Sequence, residues 1–75
     1  MKRFIWDFRG RDGHRTAEHH CKHLDGFAEI HGIPSTAYKS GIIKENEFHT
    51  YSYMEVEEAY EQKIIDLLRP QRIEE

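Results

Sequence analysis

Apolar and polar side chains alternate from the start of the chain. Phe4, Trp6 and Phe8 fall on one side of an extended segment and Ile5 and Asp7 on the other, so residues 2–8 are predicted as a strand. The glycines and the Asp12-Gly13 pair in Arg9-Gly10-Arg11-Asp12-Gly13 then mark a turn. A helical period follows, from residue 13 or 15 to residue 31. Ala17, Cys21, Leu24 and Ala28 form one apolar stripe, and His20, Leu24, Phe27 and His31 an adjoining one. Glu18, Lys22, Asp25 and Glu29 make the solvated face, with Glu18 and Lys22 spaced for an i,i+4 pair. Gly32 ends the helix and Pro34 prevents its return.

Two β-rich runs, residues 35–44 and 47–53, are predicted as a hairpin joined through the polar Lys44-Glu45-Asn46-Glu47. Ser52-Tyr53-Met54-Glu55 has capping-box spacing, so the second helix is expected to start there. Val56, Tyr60, Ile64, Leu67 and Leu68 supply its apolar face, Cys21 and Leu24 look inward from the first helix, and Pro70 is the stop. Residues 71–75 are a frayed tail or a short fourth strand.

The order is β-α-β-β-α, with a final β if the tail pairs. The expected fold is a single α+β domain over residues 1–75, a two-layer ferredoxin-like sandwich with two helices on one face of an antiparallel sheet. Two helices hide only one side of a sheet. Aromatics alternate onto both sides, so large side chains on the second face are expected to be exposed unless a partner covers them. A homodimer through the open sheet face is the leading expectation, and with it the function of a small soluble binding or interaction module.

Length and charge narrow this further. A 75-residue chain has a thin stability margin. Cys21 is the only cysteine, so no disulfide within the chain can help. No apolar run approaches a membrane span, and Asp7 interrupts any signal-peptide core. A cytoplasmic protein without membrane contact is expected. Residues 1–24 carry six Lys/Arg against three Asp/Glu, and residues 25–75 five against eleven. That basic patch is too sparse for nucleic acid, so no nucleic-acid partner is expected. No cofactor is expected.

Four of the six histidines lie between His14 and His23. His19 and His23, four apart, point off one side of the helix as two metal-binding imidazoles would. His20 stands where the H-E-x-x-H motif has its glutamate, and no third ligand follows at the usual spacing. A metal is therefore not expected; the candidates for one are His19 and His23, with His14, His49 or a partner subunit as the source of a third donor. His20, at the edge of the apolar stripe, needs a hydrogen-bond partner. Asp7, a hairpin tyrosine and His49 are the candidates.

The run His20-Cys21-Lys22-His23-Leu24 resembles the H-x-x-H-L pattern on the first helix of some ferredoxin-like enzyme families, the YciI-like proteins among them. The resemblance covers these five residues and the order of elements. The residues themselves offer an alternative function, an anionic small-molecule site or enzyme. His20 or His23 would be its acid/base and Asp7 the orienting carboxylate. Arg9 or Arg11 would clamp the anion, with His14 and Arg15 as further ligand-binding candidates around the helix start.

Overall fold

The computed structural model describes residues 2–75 as β1 (Arg3–Arg9), α1 (Gly13–Ile30), β2 (Tyr38–Asn46), β3 (His49–Val56), α2 (Glu58–Leu68) and β4 (Arg72–Glu74). The architecture is α+β, with one four-stranded antiparallel sheet ordered β2-β3-β1-β4 and two helices. The tail pairs as a strand: Phe4 faces Ile73, and the Gln71 amide donates to the Ile5 carbonyl.

Strand alternation divides the sheet as the period of two requires. Phe4 and Trp6 of β1 and Met54 and Val56 of β3 point to the helical layer. There they meet Leu24 and Ala28 of α1, Ile33 and Ala37 of the connection, and Ile64 of α2. Ile64 is the one buried side chain of α2. Its truncation to alanine would cost about 2–5 kcal/mol, a large part of a small domain's stability.

Specific hydrogen bonds close each helix. Gly32 takes a left-handed φ of 70°, which lets the Ile33 amide reach the Ala28 carbonyl and the Gly32 amide reach that of Glu29. This is the Schellman arrangement, and buried Ile33 seals it. At the end of α2 the Trp6 indole Nε1–H donates to the Leu68 carbonyl at 2.8 Å, satisfying an otherwise unpaired helix terminus from within the core.

Several expectations are corrected. The second helix does not begin at Ser52. β3 runs on to Val56, Ser52 is fully buried in the sheet, and α2 starts at Glu58 after an extended Glu57. Tertiary pairing with β1 and β2 outweighs the local capping signal. The hairpin turns at residues 47–48 instead of 44–47, because the Asn46 side chain accepts the Phe48 amide and holds the turn there. Glu18 pairs with His14 at 2.8 Å, not with Lys22. Cys21 is half-buried, not a core residue, and His31 is an exposed C-cap stacked on Phe27.

The outer sheet face departs most from expectation. Tyr51 and Tyr53 are each only 8% exposed, although no helix covers them. Together with Ile5 they form a second small core. The Arg3 guanidinium lies 4.2 Å from the Tyr53 ring centre and that of Arg72 5.3 Å from Tyr51, so the chain's own cations cover the rings. The large apolar side chains left exposed include Ile43 on β2 and Phe48 in the hairpin turn.

Candidate functional site

The outer face gathers most of the ordered polar chemistry. Asp7 lies on β1 directly opposite Tyr51 of β3, two residue pairs along the ladder from His49 and on the same face. His49 Nε2–H donates to Asp7 Oδ1 at 2.7 Å. Arg72 closes on the same carboxylate in a fork, Nε to Oδ2 at 2.8 Å and a terminal nitrogen to Oδ1 at 2.9 Å. Both oxygens of Asp7 are therefore engaged by planar donors, the geometry in which arginine binds carboxylates most specifically. The Arg72 guanidinium, with His49 adding to it, holds the Asp7 carboxyl below its ordinary range against the opposing effect of burial. At the other end of the face Arg3 binds Glu55 through two nitrogens, each 2.8 Å from Oε2. Lys39 pairs across the ladder with Glu55, and Arg9 with His49. The face thus interleaves Arg3, Arg9, Lys39 and Arg72 with Asp7, Glu55 and Glu74 around a Tyr51–Tyr53–Ile5 centre.

The helical edge holds a second cluster. His20 and Ser52 share a hydrogen bond of 2.7 Å between Nδ1 and Oγ. The His20 ring rests on Trp6 and Phe8, with ring centres 5.1 and 5.4 Å away. Burial pushes the His20 pKa down, and His23 adds to the effect. A neutral imidazole bonded to a buried hydroxyl is a packing element here. His19 and His23 stand outside it, exposed, with their Nε2 atoms 3.0 Å apart. They rim a groove of about 530 Å³ lined also by Lys22, Gly26, Phe27, Ile30 and Leu68.

Asp7 and His20 lie on opposite faces of the sheet, so Asp7 orients His49 and not His20 or His23. The alternation of β1 decides this: Trp6 and Phe8 turn to the helices, and Asp7 between them turns away. Ser52, whose spacing to Glu55 resembles a helix cap, is the partner of His20. No sequence signal identifies it, because a serine in a strand is unremarkable until the register sets it beneath α1. Arg72 was also missed, since it sits in a tail whose pairing is non-local.

The remaining candidates stay apart. Arg9, Arg11 and Arg15 are exposed, and His14 is occupied by Glu18. His49 is across the sheet from His19 and His23, and no group of three His, Cys, Asp or Glu side chains close enough to share an ion occurs among the described residues. Burial raises the Cys21 thiol pKa, with Asp25 adding to that and Ser40 opposing it, so its nucleophilic form is disfavoured. No helix among the described residues is long and apolar enough to cross a membrane. Comparison with models of protein families, with curated proteins and with solved structures finds no match to this chain.

Proposed function

We propose that this protein is a small interaction module of ferredoxin-like fold that self-associates through its outer sheet face. The fold reading rests on the strand arrangement: β3 lies between β1 and β2, and β1 between β3 and β4, with a helix spanning each split pair. The functional reading rests on one observation. The face that no element of the chain covers carries charges of both signs, held in place on two tyrosine rings. A two-fold interface brings a patch against its own copy, so it needs a surface complementary to itself. Cations interleaved with carboxylates around an aromatic centre meet that need. Ordered side chains also lose less entropy on docking than mobile ones.

Sedimentation equilibrium at micromolar concentration tests the proposal. Wild-type chain is expected to be dimeric. Ile43→Asp, which places a charge on the exposed apolar edge of that face, is expected to give monomers, while Leu67→Asp on the exposed side of α2 leaves the dimer intact. A strictly monomeric wild type sinks the proposal.

The competing anionic-ligand reading shifts to His49, the one histidine that Asp7 reaches. It predicts a rise in melting temperature with added phosphate that Arg72→Ala abolishes. Unchanged melting would leave the interaction module as the better account.

A further inference from the structure

His19 and His23 are used by neither the core nor the outer face. They sit one turn apart on the exposed side of α1, their rings edge to face with centres 4.6 Å apart. Among the described residues, the only side-chain hydrogen bond of either ring is the one they share, Nε2 to Nε2 at 3.0 Å. Two imidazole nitrogens this close are within reach of one shared ion.

The separation suits a shared ion. At a metal–nitrogen bond of about 2.0–2.1 Å, a tetrahedral ion holds two nitrogens about 3.3 Å apart. Adjacent positions on a square or octahedral ion hold them about 2.9 Å apart at the same bond length. The 3.0 Å hydrogen-bond separation lies near both values, so the two rings need little movement to share one ion, and the choice of ion rests on the number of donors. Tetragonal copper(II) and nickel(II) favour imidazole ligands and complete their shells with water, so two protein donors suffice, whereas a structural zinc site asks for four.

We propose that His19 and His23 form a two-imidazole site for a tetragonal divalent ion of the copper(II)–nickel(II) class on the solvent side of α1. Binding exchanges the shared proton for the metal. The Nε2–H proton moves to Nδ1 of its own ring, both Nε2 lone pairs go to the ion, and two waters leave the aquo-ion. Starting from two neutral rings, the step conserves protons. The ion also clips one turn of a helix that is weakened three residues later by Gly26.

Calorimetric titration of the full chain with copper(II) and with zinc(II) at pH 7.5, in a buffer that does not bind metal, tests the site. Copper is expected to bind one per chain, at least about tenfold tighter than zinc, following the general order of divalent affinities. His19→Gln and His23→Gln should each weaken copper binding at least about tenfold, and His14→Gln should leave it unchanged. Paramagnetic resonance of the copper complex should show two coupled nitrogens in wild type and one in either variant. Copper should raise the melting temperature of wild type and of neither variant. Equal copper binding by wild type and both variants, loss in only one of them, or zinc binding as tightly as copper overturns the proposal.

Discussion

Tyr53 lies across Gly41: a Cβ built on Gly41 would stand 2.7 Å from the Tyr53 hydroxyl oxygen and under 3 Å from two ring carbons. The two residues face each other across the β2–β3 ladder. The missing side chain on β2 lets a tyrosine of β3 lie flat on the outer face, with Arg3 stacked above it. Gly41→Ala must lift the ring and part it from Arg3. The expected cost is about 1–3 kcal/mol, the usual range for overpacking. Urea denaturation measures it, and the near-ultraviolet tyrosine dichroism should change with it. An unchanged midpoint and spectrum would show that the ring does not depend on the glycine.

Asp7 anchors the other half of the face. Asp7→Asn keeps the shape but removes the charge that pairs with Arg72 and His49. Because Arg72 is 42% exposed, solvent screening keeps the loss modest, about 1–2 kcal/mol. The pH dependence has a definite sign. The Asp7 carboxyl is held below its ordinary value by Arg72, so the folded state binds a proton less readily than the unfolded chain. Its stabilisation is present above the unfolded value of about 3.9 and is lost as pH falls below it. Denaturation of wild type and Asp7→Asn should therefore converge between about pH 4 and pH 2. A constant difference across that window would contradict the assignment.

His20 gives the opposite chemistry with the same slope. Burial depresses its pKa and its hydrogen-bond partner is a hydroxyl, so the neutral ring is the form the fold favours. Stability is full above the unfolded histidine value of about 6.5 and declines as pH drops through it toward the lower folded value. His20→Gln should flatten that decline between pH 7.5 and pH 5.5. Ser52→Ala should cost about 1 kcal/mol at pH 7.5, by breaking the hydrogen bond that ties α1 to the sheet. If stability instead rises on acidification and His20→Gln removes the rise, a carboxylate must reach this ring.

Two glycines of α1 should respond in opposite directions to alanine. A Cβ at Gly13 would meet the Phe8 carbonyl oxygen at 2.7 Å, and backbone cannot easily move aside. Gly13→Ala is expected to cost about 1–3 kcal/mol through that clash. Nothing stands within 4 Å of a Cβ at Gly26. Gly26→Ala should stabilise the chain by about 1 kcal/mol, the helix-propensity difference. Thermal melts of the two variants check both signs. A destabilising Gly26→Ala would indicate that α1 needs a bend or a close approach at that position.

The elements were largely legible because they rest on local chemistry. Alternation in Phe4–Phe8 specifies β1, and the stripe through Ala17, Leu24 and Ala28 with Gly32 beyond it specifies α1 to within a residue at the C-terminus. The end of β3 was not legible. Ser52 and Glu55 offer a good helix start in isolation, and only the ladders to β1 and β2 show that extended backbone satisfies more hydrogen bonds there. The candidate site was legible as a set of residue types and not as a set of neighbours. His49 and Arg72 lie 42 and 65 positions from Asp7, and no pattern within one element links them.

The sequence alone determined the periods, the helix stop and the spacing of His19 and His23, since each depends on backbone geometry over a few residues. Tertiary structure decided which groups meet. Strand register placed Asp7 with His49 on one face and His20 with Ser52 on the other, because one residue of shift along a strand exchanges its faces. It also decided that the outer tyrosines are covered by the chain's own arginines. That outcome needs β4 to dock beside β1 and Gly41 to open space beside β3, contacts that no local pattern encodes.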